Sequence, residues 1–357
     1  MRASIRFLPM LLLGAFAGSA HADAQRIALW PEQPAVGTPF RIELEGVWAK
    51  TCAPRVERAF VDGADIHLVV ASQKKAACAG AQTESAKVLS ASPGESELRA
   101  ESAGVYRLYA HDATSGEMLA FSLARIGDDP LATTPESGLW WPEPGGEFAN
   151  SGPGFGVQVE MQGDVLALTA TGYRDSGQAA WWFGAGSLQS NLSTLSLSAL
   201  TGGSAPFGVY AAPKEAEPAG NVHVSWLSAA RAVFWFERVD PASGKRTVNP
   251  ISMARFAFGM RPGRGWLGTW AVQWEGLDTE RVRFDRIIET EGGFELSDAR
   301  TGLALQCVWA LDRPQSPPQT CQLSSDDGLE ASLSDIGLRS LRGVSEAGGV
   351  RLQMLEP

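Results

Sequence analysis

The sequence predicts an all-β fold in three units. These are a β-sandwich over residues 23–130, an antiparallel meander over 131–260 that forms a barrel or a sandwich, and a smaller disulfide-stapled β-domain over 261–357. Three observations carry the prediction. Short apolar-polar alternating runs recur between Gly-centred turns, which is the period-2 signature of half-buried strands. The 3.6-residue period of helices is absent except for a weak stretch near Lys87. The four cysteines fall into two well-separated pairs, Cys52 with Cys78 and Cys307 with Cys321.

Residues 1–22 precede these units and read as a cleavable secretory signal, with Arg2 and Arg6, an apolar run from Phe7 to Ala17, and the small-residue tripeptide Ala20-His21-Ala22. That run is too short for a permanent span, and no later segment approaches the roughly 20 apolar residues one needs. The expectation is an exported protein, periplasmic or secreted, without a transmembrane segment. In such a compartment the cysteines read as disulfides. Three pairings are arithmetically possible; the sequential one keeps each bridge inside one unit. A metal centre is not expected, because no Cys-x-x-Cys occurs and His67, His111 and His223 lie near none of the cysteines in sequence.

In the first unit the strand-like runs are Phe40 to Leu44, Ile66 to Val70, Ser96 to Ala100, Val105 to Ala110 and Met118 to Arg125. About seven short strands in about 100 residues suggest a sandwich. Asp128 to Pro135 is polar and Pro-containing, as linkers are. Between Gly138 and Phe258, eight strand candidates centre on Trp140, Val159, Leu168, Trp182, Leu197, Val224, Trp235 and Arg255. Closing such a meander into a barrel removes its exposed edges. From Gly265 onward a second Gly-x-Trp opening appears, Gly268-Thr269-Trp270, followed by Val272, Trp274, Val282 and Phe284 in alternation. Asp298 to Gly302 echoes Arg174 to Gly177. An internal duplication and the incidental likeness of two hairpins both account for it.

Residues 138–186 combine a Gly-x-Trp opening, a Gly-x-Gly approach, a Gln-Gly-Asp turn, and a strand ending in Gly-Tyr-x-Asp-x-Gly before Trp181 and Trp182. This pattern resembles a segment recurring in uncharacterised exported bacterial proteins of Gram-negative type. In the first unit Trp48, Cys52-x-Pro54 and the Gly104-x-Tyr106 strand resemble the immunoglobulin-like module at the front of the same family. The resemblance implies an Ig-like sandwich in architecture only, and a periplasmic setting. It brings no activity. The family motif often carries Asn where this chain has Pro142.

Turn chemistry sorts the aromatic residues by face. A Gln162-Gly163 turn pairs Val159 with Leu166 and Val157 with Leu168, predicting a core face of Val157, Val159, Met161, Leu166, Leu168 and Ala170. A three-residue Asp175-Ser176-Gly177 loop sets Ala170 opposite Trp182 and Thr171 opposite Trp181, so Trp182 points inward and Trp181 outward near Tyr173. A two-residue loop swaps them. Trp181 and Tyr173 are therefore the candidate ligand-binding residues, since flat aromatics with a polar rim suit sugar rings or a protein partner. Packing of Trp181 on a neighbouring unit is the rival reading. Trp226, Trp235, Trp266, Trp270, Trp274 and Trp309 are expected in cores, although a barrel of this size also holds one small ligand in lipocalins and avidins.

Forty acidic against thirty basic residues give a net charge of −10, which argues against nucleic acid as a partner. No Gly-x-Ser-x-Gly elbow or His-Glu-x-x-His occurs, and His67, His111 and His223 read as structural. No catalytic residue, cofactor or metal is identified. The leading expectation is a noncatalytic binding or envelope-associated protein with a glycan or envelope protein as partner. A hydrolase using two carboxylates about 5 to 9 Å apart and a purely structural surface protein are the alternatives.

Overall fold

The computed structural model describes residues 25–49, 52–72, 83–89, 98–128, 131–143, 147–148, 154–204, 207–212, 214, 216–258, 262–309 and 317–356. Its regular structure is β throughout apart from one 3-10 turn at Arg264–Trp266 among the described residues. Residues 1–22, expected to be a signal, and Cys78 lie outside them.

Seven strands make the first unit: β1 (Arg26–Trp30), β2 (Arg41–Ala49), β3 (Arg55–Asp62), β4 (Asp65–Ala71), β5 (Thr83–Leu89), β6 (Gly104–Asp112) and β7 (Met118–Ile126). They form two sheets, ordered β1-β2-β5 and β3-β4-β6-β7. Alternate residues bury a shared core that includes Ile27, Phe40, Leu44, Leu68 and Leu108. Strands β4 and β6 run parallel; the other pairs are antiparallel. The weak helical stretch near Lys87 is strand β5. There Lys87 lies opposite Glu45 and its ammonium sits 2.5 Å from Glu43, so pairing with β2 overrides a marginal local preference. Of the run expected at Ser96 to Ala100, Ser96 and Glu97 lie outside the described residues, and Leu98 makes an isolated bridge to Phe40. Cys52 is buried and disulfide-bonded; its predicted partner lies outside the described residues.

The second unit is a closed barrel of eight antiparallel strands: β8 (Gly138–Pro142), β9 (Gly156–Gln162), β10 (Val165–Tyr173), β11 (Ala179–Ser187), β12 (Leu192–Ala199), β13 (Glu217–Ser228), β14 (Arg231–Val239) and β15 (Arg246–Arg255). Every strand pairs with its sequence neighbour, and β15 returns to β8. At that closure Arg255 donates from Nε to Ser137 O at 3.0 Å and from Nη1 to Leu139 O at 3.1 Å. The interior is filled. Trp140, Trp226 and Phe234 meet edge-on or tilted at 5.3 to 6.3 Å between centroids, and Phe155, Phe236 and Trp182 pack on the same core.

One register differs from expectation. The β9–β10 loop is Gly163-Asp164, with Gly163 at φ +64°, so Val159 lies opposite Leu168 and Val157 opposite Ala170. The slip is two residues, a full pleat period, and the core face is unchanged. Val157, Val159, Leu166, Leu168 and Ala170 are buried, and Met161 packs beside them.

The third unit comprises β16 (Gly268–Trp274), β17 (Glu280–Phe284), β18 (Arg286–Thr290), β19 (Gly293–Asp298), β20 (Leu303–Val308), β21 (Thr320–Ser324), β22 (Glu330–Ile336), β23 (Ser340–Ser345) and β24 (Gly348–Glu356). They form one sheet whose two outermost strands are β17 and β18. Only Asp285 separates these two in sequence, and its N–H donates to Ser297 O on β19. The sheet therefore curls into a second ring. Cys307 and Cys321 face each other on β20 and β21 and are disulfide-bonded.

The two rings share one plan. Each opens with Gly-x-Trp, the glycine at φ +127° or +139° and the tryptophan fully buried. Each indole donates to the carbonyl four residues earlier, Trp140 to Glu136 at 3.1 Å and Trp270 to Trp266 at 2.8 Å. Trp140 lies opposite Val157 and Trp270 opposite Val282, and each opening strand also pairs with the last of its ring. The echoed turn follows the third strand of the first ring and the fourth of the second. The likeness lies in the opening strand and its pairings; strand number, eight against nine, and the place of the turn differ.

The expected linker is a staple rather than a free tether. Thr133 is buried, its N–H donating to Asn191 Oδ1 at 2.9 Å and its hydroxyl to Asp335 Oδ1 at 3.2 Å. Glu136 accepts from Leu338 N and Arg339 N on the second ring. Asp335 also accepts from Ala229 N at 2.6 Å, so both rings and the connecting segment meet at one carboxylate.

Candidate functional site

The β10–β11 hairpin decides which tryptophan meets solvent. Its loop is Asp175-Ser176-Gly177, with Gly177 N donating to Arg174 O at 2.8 Å and φ +77°, a left-handed geometry that favours glycine. Ala170 lies opposite Trp182 and Thr171 opposite Trp181. Alternation along the strand then places Trp182 against the core and leaves Trp181 46% exposed on the outer wall. Tyr173, two residues from Thr171 on the same face, is 63% exposed. The structure brings both candidate residues to one surface.

That surface extends further than expected. Trp141 follows the buried Trp140 on β8 and therefore faces outward, where its ring contacts Phe256 at 6.1 Å between centroids. Between Trp141 and Trp181 stand only Gly156 on β9 and Thr171 on β10, which pair with each other. A Cβ at Gly156 would sit 3.5 Å from the Trp141 and Leu139 side chains, an ordinary contact at an unremarkable φ, so packing does not demand glycine there. The Trp141 ring lies over Gly156, which is buried. Three interstrand steps of roughly 4.8 Å set the strand positions of Trp141 and Trp181 about 14 Å apart, and the exposed Thr171 is the floor of the trough between the two indoles. Thr171 donates to Gly156 O at 3.2 Å, and Gln158 to Glu160 at 3.1 Å, along its polar side. The signal for Trp141 was the tandem Trp140-Trp141 itself, since neighbours on a strand face opposite sides.

The opposite part of the wall is covered by the sandwich. Phe121 on β7 packs against His223 at 5.1 Å and Trp235 at 5.7 Å between centroids, and Arg107 lies 5.6 Å over the Trp235 ring. Trp235 is thus buried between units rather than inside the barrel, which corrects its expected place in the core. Trp226, Trp266, Trp270 and Trp274 are core residues, and Trp309 packs on the second ring's core. Trp181 is not the residue that docks a neighbouring unit; Trp235 is.

The histidines outside residues 1–24 and several buried carboxylates have structural partners. His67 and His111 face each other at 3.5 Å within a stack that includes Phe60 and Tyr109. Burial, and then the neighbouring His67, lowers the His111 pKa. His111 lies inside β6, which runs two residues past the expected strand end. His223 is buried between Thr194 Oγ1 at 3.0 Å and Glu237 at 3.3 Å. Glu143 pairs with Arg231 at 3.2 Å, and Asp298 accepts from Arg283 N and Arg300 N. Asp112 accepts from Ser72, Ser115 N and Thr114 N, which outweigh burial and hold its carboxyl at about 2. Asp335, 2.5 Å from Arg342, is pushed up by burial even so. No group of three or more His, Cys, Asp or Glu side chains among the described residues is arranged to hold a metal. No helix among them is long and apolar enough to cross a membrane. The chain matches no protein-family model, and a search of curated proteins returned no match.

Proposed function

We propose that this is an exported, noncatalytic binding protein of the cell envelope or its surroundings, and that it recognises a glycan on the outer wall of the first barrel. The observation that carries the reading is the trough with Trp141 and Trp181 as walls and the exposed Thr171 as floor. Sugar rings present C–H faces that lie on indoles, and hydroxyls that meet the Thr171, Gln158 and Glu160 side chains beside them. The packed barrel interior supports a site on the outer surface. The Cys307–Cys321 disulfide agrees with an oxidising compartment.

Screening the mature chain on an array of envelope glycans tests the reading. A saturable binder is expected, and Trp181→Ala weakens it by roughly tenfold or more, as truncation of a central aromatic anchor does. Trp235→Ala serves as the comparison because that ring is already covered. Failure of every glycan to bind, or equal binding by the Trp181 variant, overturns the assignment.

A further inference from the structure

On the second ring, the wall position equivalent to the trough has different chemistry. Where the first barrel has Leu139 opposite Gln158 and Trp141 beside Gly156, the second has Thr269 opposite Arg283 and Ala271 opposite Arg281. Arg281 and Arg283 share the outer face of β17. Arg300, from the β19–β20 turn, reaches over them and donates from Nη2 to Arg281 O at 2.9 Å. With Thr269, Val282 and Glu356 they line an open depression of about 460 Å³.

The charges there do not cancel. Glu356 lies 3.6 Å from Arg281, and Asp298 lies 3.7 Å from Arg300. Asp298 is already committed, since its buried oxygens accept the backbone N–H groups of Arg283 at 3.0 Å and Arg300 at 2.8 Å. The Arg283 guanidinium has no protein partner among the described residues. Three cations gathered at neighbouring positions repel one another, in a chain whose net charge is −10. An anion between them relieves that repulsion, and the planar fork of arginine matches oxyanions through paired hydrogen bonds.

We propose that this depression is an oxyanion site, taking a ligand through a phosphate, sulfate or carboxylate group held by Arg283, Arg300 and Arg281, with the Thr269 hydroxyl as a neutral donor. The site uses other residues on another ring than the trough, so it stands or falls separately from the glycan reading.

Calorimetric titration of the mature chain at low ionic strength, with inorganic phosphate, inorganic sulfate and glucuronate in separate arms, tests it. Saturable binding of at least one is expected, with the tightest naming the ligand's acidic group, and added sodium chloride weakens it by screening. Arg283→Ala reduces affinity by at least about tenfold, the factor for one lost charge-assisted hydrogen bond. Arg26→Ala, the same charge change on the sandwich, leaves affinity unaltered, as does Trp181→Ala. Absence of saturable binding in all three arms overturns the proposal, as does equal weakening by Arg26→Ala.

Discussion

Replacing Glu237 with Gln tests whether buried charge holds the first barrel's wall together. Glu237 is 4% exposed on β14 and accepts from Asn221 Nδ2 at 2.6 Å, from His223 Nε2 at 3.3 Å and from Arg246. The other ring nitrogen of His223, Nδ1, lies 3.0 Å from the Thr194 hydroxyl, so both ring nitrogens have partners. Burial pushes the Glu237 carboxyl up, but the His223 hydrogen bond, the Arg246 charge and the Asn221 hydrogen bond outweigh it and hold the pKa at about 2 against an ordinary 4.5. Because the folded value is the lower one, the stabilisation is complete above about pH 4.5 and is lost as pH falls through about 2. A gap of that size corresponds to a stabilisation on the order of 3 kcal/mol, the range in which breaking a buried ion pair falls. The assay is urea unfolding read by hydrogen exchange in peptides from β13 and β14, on both proteins between pH 7 and 2. The variant should be less stable by about 3 kcal/mol at pH 7, with the gap closing between about pH 4.5 and 2. A gap constant across that window would mean lost shape rather than lost charge. No gap at pH 7 would refute the argument outright.

Two further substitutions probe the repeated plan and its staple. Trp140→Phe and Trp270→Phe each remove an indole N–H bonded to the carbonyl four residues earlier, and matched losses of about 2 kcal/mol are expected, each confined to its own ring. A cost in one ring and none in the other would break the equivalence. Replacing Cys307 and Cys321 with Ala opens a bridge across 14 residues of chain and should lower the second ring's stability by about 3 kcal/mol while sparing the first barrel. An unchanged urea midpoint for β20 and β21 would show that strand pairing alone sets that stability.

Local turn chemistry made the trough legible where it fixed register directly. Asp175-Ser176-Gly177 sets the bulged loop, the loop sets Thr171 opposite Trp181, and the pleat does the rest. The β9–β10 turn was less decisive, because Gln-Gly-Asp accommodates a two-residue loop at either of two positions. Alternation protected the core assignment there, since a slip of two residues returns every side chain to its face. Trp235 was misplaced for a different reason. Both walls of a barrel strand become apolar when another unit covers the outside, and no local pattern separates a core tryptophan from one buried under Phe121. The Thr133 staple was hidden likewise, because its partners Asn191 and Asp335 lie far along the chain.

Comparison of the two rings locates where this architecture varies. At the opening strand the inward pairs are the same, Trp140 with Val157 and Trp270 with Val282, because a closed interior admits few residues of the right shape. The outward residues beside them share nothing, leucine, tryptophan and glycine on one ring answering threonine, alanine and arginines on the other. Solvent-facing positions carry no such packing constraint, so their differences are available for recognition. The first barrel has already committed the β13–β14 side of its wall to the sandwich through Trp235 and His223. That leaves the β8–β11 side open, and an aromatic surface at the same opening strand where the other ring gathers arginines is a difference of chemistry between two rings that open alike.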